Sequence, residues 1–442
     1  MELSESQQHP QPRESQQLRK IEPEEVHSLE IVRKILPWRE QLATGFGTAH
    51  GNAHLQLIDV LIVLLAAFYN PMVRSQRLVE ALSSQQWMRR QTGIERIPRS
   101  TLSDALARFD PEQIKPLVKE LTARVAALDQ RDPDLACLTR QVIAADGTYL
   151  NLAGEVLWAL QCRRGGLKDT VQARARLDLQ LDVGSFSLVD GVVSGKSASC
   201  EAASFIGQIK PGVIYLADRG FVHFGFLKAV LAKGSNFVVR LKKDVLFAAD
   251  MPRELVGKDK ELSVISDETG HLPGPTQARD KRHKAKRGRN GTKRGGEPPT
   301  QRLRRVTIYD PKNNCQVTLL TDLLDVPAWM IAVLYRKRWL IELFLRFLKC
   351  TAAFDHMISK NQKGMTLQLY VAMIATLLLH LATGQRVSKY SLFWLGSIAS
   401  GHATWEEMQA GLARIQREKM LEKARLSRKK LMAQGLQKSV SE

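Results

Sequence analysis

Gln141-Val-Ile-Ala-Ala-Asp146-Gly147 is where the period of the chain changes. A short apolar run closed by an acid and a glycine reads as a buried strand and not as a helix. Strand signals follow at Val156–Cys162 and Ala175–Val183, the latter with Leu177, Leu179, Leu181 and Val183 alternating. Val213-Ile-Tyr-Leu-Ala-Asp218-Arg-Gly220-Phe is a second buried strand closed by an acid, and Asn236–Leu241 is another strand. Glu201–Ile209 and Phe226–Ala232 read as helices between them. Strands interleaved with helices define a mixed α/β core.

Before this core the pattern is helical, from Glu24 to about Gln130, and residues 1–22 read as a disordered tail rich in Gln, Ser, Glu and Pro. The run Leu55–Phe68 is too continuously apolar for a surface helix, so it marks the core of a helical domain. It is shorter than a membrane span and contains Asp59, while the second apolar helix, Leu367–Ala382, contains His380. Both read as core helices. Arg77–Leu82, a break at Arg96-Ile-Pro-Arg-Ser100, and a helix Thr101–Phe109 capped by Ser100 or Thr101 are compatible with a helix-turn-helix or with two packed helices.

The 442 residues carry 65 Lys and Arg against 45 Asp and Glu, a net +20. Such an excess points to a polyanionic partner, nucleic acid first and an anionic membrane as the rival. Nine of the sixteen residues from Arg279 to Arg294 are Lys or Arg, a composition for contacting a phosphate backbone or for a solvated loop. Five scattered cysteines without a CxxC pair argue against structural zinc and fit a reducing cytoplasm, and the N-terminus shows no secretory pattern.

The second decisive stretch is Tyr335-Arg-Lys-Arg-Trp-Leu-Ile-Glu-Leu-Phe-Leu-Arg-Phe-Leu-Lys349, within a long helix opened by Pro327 at its first position. At about 100° per residue, Tyr335, Arg338, Glu342 and Lys349 fall at about 0°, 300°, 340° and 320°, one polar stripe on an otherwise apolar helix. An i,i+4 Arg338–Glu342 pair accounts for part of this stripe. Glu342 together with Asp146 and Asp218 would be three carboxylates on a buried surface, ionised only if cations compensate them. Divalent metal suits such oxygens and phosphodiester chemistry. Arg338 and Lys349 suit phosphates, and Tyr335 suits a phosphate or a base.

The spacing of those four residues, with two, three and six intervening positions, resembles the Y-(2)-R-(3)-E-(6)-K signature of bacterial insertion-sequence transposases of family four. Asp146-Gly147 and Asp218-Arg219-Gly220-Phe221 resemble the family's two Asp motifs. The resemblance covers about residues 141–350. It implies an RNase H-like catalytic core, residues 133–350, with a β-rich insertion at 242–316, flanked by a helical DNA-binding domain at 23–132 and a C-terminal helical region at 351–442. It implies cut-and-paste transposition, with Asp146, Asp218 and Glu342 holding Mg²⁺ (or Mn²⁺) and Tyr335, Arg338 and Lys349 holding the transposon end. Double-stranded DNA, a homodimer in the synaptic complex, no membrane and a nucleoid-associated cytoplasmic location complete the expectation. Relatives use an insertion Trp to receive a flipped base; this chain has none between residues 159 and 328, leaving Phe247 or Tyr309 as substitutes. A non-catalytic DNA-binding relic acting as repressor, and a structure-specific nuclease of the same fold, are the rival readings.

Overall fold

The computed structural model describes residues 55–128, 138–152, 156–163, 171–195, 200–242, 245–273, 297–351, 358–399 and 402–439, except 71 and 312, with 31, 40, 42 and 135 as isolated positions. The expected tail at 1–22 and the basic run at 279–294 lie outside the described residues.

Five helices come first: α1 Leu57–Tyr69, α2 Gln76–Ser83, α3 Gln86–Thr92, α4 Arg99–Arg108 and α5 Lys115–Ala126. Helix α1 is buried on all but one position, as its continuous apolar run requires. Two expectations need correction here. An unanticipated helix, α3, stands between the two expected ones, and α4 begins at Arg99 behind Pro98, with no side-chain cap from Ser100 or Thr101. Thr101 is instead buried, and the pyrrolidine of Pro98 sets the turn into the helix.

The α/β part runs β1 Val142–Leu152, β2 Leu160–Arg163, β3 Val171–Asp182, β4 Ser187–Ser194, α6 Glu201–Ser204, β5 Ile214–Ala217, α7 Phe224–Ala232 and β6 Asn236–Arg240. It continues through β7 Ala248–Pro252, α8 Gly257–Glu261, β8 Val264–His271, β9 Leu303–Asp310 and β10 Cys315–Thr321. All ten strands form one sheet of order β2-β3-β1-β5-β6-β10-β9-β8-β7, with β4 beside β2 on the outer edge of β3. β1 is antiparallel to β3, whereas β1, β5 and β6 are mutually parallel. This is the arrangement of an RNase H-like core. The strands of the expected insertion join this sheet: β10 pairs with β6, so β7–β10 prolong it.

Alternation along β1 sends Val142 and Ala144 into one apolar core and Ile143 and Ala145 into another. The second core is closed by α6 and α7 through Ala202, Phe226 and Leu227. The first is closed by α9 Ala328–Lys337, α10 Trp339–Arg346 and α11 Gln362–Thr383 together with the N-terminal helices. Pro327 is the N-cap of α9 and not its first residue, with an extended ψ of 155°. Helix α11 is long and apolar enough to cross a membrane, but 78% of its apolar window is buried inside the protein. α12 Lys389–Ala399 and the 35-residue α13 Trp405–Ser439 end the described chain.

Candidate active site

The register of the parallel strands assembles the site. β1 and β5 pair up to Ala145 opposite Ala217, so the next residues, Asp146 and Asp218, leave the paired segment side by side. This is the carboxyl edge of the parallel strands, where open α/β sheets hold ligands. Only Asp218 ends its strand, as the sequence pattern requires. β1 runs on through Asp146 to Leu152, because β3 continues to pair with it as far as Ala173. The Asp-Gly step is thus part of an extended strand and not a turn.

Each Asp is held by the glycine of its own motif. The Gly147 N–H donates to Asp146 Oδ1 at 2.9 Å, and the Gly220 N–H donates to Asp218 Oδ1 at 2.6 Å. Asp218 thereby caps a short 3₁₀ turn, Arg219–Phe221. Burial, opposed by Arg338 and the Gly147 N–H but reinforced by Asp218 and Glu342, pushes the Asp146 carboxyl up to about 6. Asp218 and Glu342 are therefore near enough to Asp146 for their charges to act on it.

Glu342 is not free. Arg338 Nη2 donates to its Oε1 at 2.5 Å, and Arg338 also lies over the Tyr335 ring, 5.6 Å from its centroid. Arg338 Nε is buried without a hydrogen-bond partner. Burial of the Tyr335 phenol raises its pKa, while Arg338 and Arg240 oppose that shift. Arg240, at the end of β6, is near enough for its charge to act on Tyr335, and the motif spacing does not mark it.

The stripe is not a continuous α-helix. The chain tightens at Arg338, whose N–H bonds to Tyr335, and residues Phe347–Thr351 form a π-helical turn. Such turns often mark functional sites. This one turns Lys349 onto β1, where its Nζ donates to Thr148 Oγ1 at 2.6 Å and to the Tyr149 carbonyl at 3.0 Å. The expected burial of α10 all round is also incomplete, since Trp339 and Leu343 are exposed at 47% and 38%. Of the two aromatic candidates in the insertion, Phe247 is half-buried under the Arg305 guanidinium and Tyr309 is exposed, its hydroxyl bonded to Asn314 Oδ1.

One acid was not singled out by sequence. The Glu201 carboxylate lies against both motif glycines, and burial, then Asp146, Asp218 and Asp178, raise its pKa to about 7.

Among the described residues, no three His, Cys, Asp or Glu side chains form a ready-made metal cluster. The bond to Arg338 keeps Glu342 engaged elsewhere. The donors are nonetheless all carboxylate oxygens, crowded in a half-buried edge where their charges oppose one another. That chemistry fits a hard divalent cation.

These features belong to a recognisable class: residues 138–378 match the family model described as "Transposase DDE domain", and the chain belongs to that family. Among curated relatives it is similar to y4zB of Sinorhizobium fredii, which is named as a transposase, at 30% identity over 175 residues, 39% of this chain and 44% of that one. It is also similar to a protein named as a transposase for insertion sequence element IS4SA of Synechocystis, at 43% identity over 84 residues, 17% of this chain and 25% of the relative. The chain thus matches less than half the length of either relative.

Proposed function

We propose that this protein is the transposase of an insertion sequence of the YREK type, acting on double-stranded DNA by divalent-metal-dependent strand cleavage and strand transfer. The observation that carries the reading is the register of β1 and β5, which sets Asp146 beside Asp218 at the carboxyl edge of the sheet, within range of the Glu342 charge. Asp146, Asp218 and Glu342 would hold Mg²⁺ or Mn²⁺, which when bound activates the attacking oxygen and neutralises the leaving one.

The protein's own residues supply the rest. Arg338, bonded to Glu342 in this structure, clamps a phosphate of the transposon end. That exchange frees Glu342 for the cation, so DNA binding and assembly of the acid triad are one event. Tyr335, stacked under Arg338, orients that guanidinium toward the strand. Lys349 braces β1 next to Asp146 and presents its remaining N–H to a phosphate. The N-terminal region, with helices α1–α5, recognises the terminal repeats, and two copies pair two ends.

Purified protein cleaving DNA that carries the element's ends tests this. Asp146→Asn, Asp218→Asn and Glu342→Gln should each lower Mg²⁺-dependent cleavage at least about 100-fold while leaving end binding within a few-fold. Cleavage surviving in all three would overturn the site. The Arg338–Glu342 bond favours one rival, a non-catalytic DNA-binding protein in which the pair is permanent. Wild-type protein that binds ends but never nicks them, with Mg²⁺ or Mn²⁺, would select it.

A further inference from the structure

We propose that Glu201 is a fourth carboxylate of the cation site, adding its oxygen and charge to those of Asp146 and Asp218. The inference rests on the metal-dependent reading above and extends it to a residue outside the three-acid signature.

The argument begins with space. A Cβ on Gly147 would come within 2.3 Å of Glu201 Oε1, and one on Gly220 within 3.7 Å of Glu201 Oε2. The Glu201 carboxylate therefore occupies the room that side chains would take immediately after both motif acids. It reaches from β1 to the turn that follows β5, beside both motif glycines. Asp178 Oδ1 approaches the same point beside Gly147, 2.7 Å from that Cβ position.

The partners of these acids differ. Asp178 is fully buried and has Arg176 as its ion-pair partner, Nε being 2.9 Å from Oδ1, and the Ser204 hydroxyl donates to Oδ2 at 2.7 Å, although Oδ1 itself makes no hydrogen bond. Glu342 has Arg338. Asp146 and Asp218 have backbone N–H donors. Glu201 Oε1 is shielded from solvent and has no hydrogen-bond partner. A buried carboxylate oxygen left this way is costly, and native proteins keep such groups where something else satisfies them. The neighbouring acids cannot donate to it while ionised. A cation taken up by this acid cluster would supply the counter-charge that Oε1 lacks here.

The test uses Mn²⁺ alone, without DNA, titrated into full-length protein and followed by calorimetry and by melting temperature. Glu201→Gln is nearly isosteric, so it should melt no lower than wild type without metal, yet bind Mn²⁺ about 10-fold more weakly. Glu201→Asp keeps the charge on a shorter arm and should fall between them; it also serves if the Gln variant folds poorly. Asp146→Asn is the control that separates the two claims. Weakened Mn²⁺ binding in Asp146→Asn, with Glu201→Gln and Glu201→Asp both at wild-type affinity, would overturn the role of Glu201 and leave the metal site standing. Wild-type Mn²⁺ affinity in Asp146→Asn as well would overturn the metal reading, and this inference with it.

Discussion

At the scale of single residues, burial and like charge raise Asp146 to about 6 and Glu201 to about 7, against an ordinary carboxylate value of about 4. A raised folded-state pKa means the native protein holds protons that the unfolded chain has released. Stability is then present at low pH and lost as pH rises through the folded values. Metal-free protein should therefore lose melting temperature across about pH 4 to 7, and Asp146→Asn should remove part of that slope. His380 acts oppositely: burial and then Arg386 hold it down at about 4, so its contribution is lost as pH falls from about 6.5 toward that value. His380→Gln should flatten the acid side in melting curves. Gly147→Ala makes a separate prediction, because its methyl would collide with the Glu201 carboxylate. It should weaken Mn²⁺ binding as Glu201→Gln does, at a stability cost of about 1–3 kcal/mol that is partly removed in Gly147→Ala/Glu201→Ala. As candidates, Asp146, Asp218 and Glu342 stand out in the sequence because each sits in a patterned run. Glu201 was not, because Ser-Cys-Glu-Ala-Ala has no spacing that distinguishes it from any helix start. Only the glycines after both acids hinted that something fills the space behind them.

At the scale of elements, the α9–α10 segment that carries Glu342 is fixed at both ends by polar contacts that periodicity does not reveal. Upstream, Arg304 of β9 is almost fully buried, forks onto both oxygens of Asp267 at 2.7 and 2.6 Å, and donates to the carbonyls of Leu323 and Val326 just before α9. Strand β9 thus braces the start of α9, which leads into the helix that carries Glu342. Arg304→Ala should cost about 3–5 kcal/mol in denaturant unfolding, because it leaves Asp267 buried with reduced compensation, and Asp267→Asn in that background should restore part of it. Downstream, Lys349→Ala removes two hydrogen bonds that hold the π-turn to β1 and should cost about 1–2 kcal/mol along with cleavage activity. Unchanged unfolding with lost activity would instead assign Lys349 wholly to DNA. The polar pattern of β8, Val-Ile-Ser-Asp-Glu-Thr-Gly-His, hid it as a strand, since its inward Asp267 is made tolerable only by a partner 37 positions away. β4 was overlooked for a related reason: it is an edge strand interrupted by Asp190-Gly191. Strands β1, β3, β5 and β6 were visible because both or alternate faces are apolar.

At the scale of the whole molecule, the stretch matched by the family ends near α11, but the structure shows that the matched part does not close its own core. Helix α11 packs on α1, α4 and α5 as well as on β4, and the Tyr69 hydroxyl in α1 donates to the Ala375 carbonyl at 2.8 Å. One continuous apolar core runs from α1 through the sheet to Met408 and Leu412 of α13. The change of period after Asp132-Pro133 falls between the last N-terminal helix and β1, but a period change says nothing about which faces share a core. The apolar girth of α11 was the available sign, because a helix buried on every side needs neighbours on every side. The consequence is testable. Deleting residues 1–137 leaves the sheet and all candidate site residues intact, yet uncovers the face of α11 that lies on α1, α4 and α5. An exposed apolar face of that extent promotes association. The chain 138–442 should therefore aggregate or melt well below the full-length protein, and supplying residues 1–137 as a separate chain should recover part of the loss. A soluble 138–442 with an unchanged melting temperature would instead make the N-terminal helices an independent module, whose removal affects recognition of DNA ends and nothing in the fold.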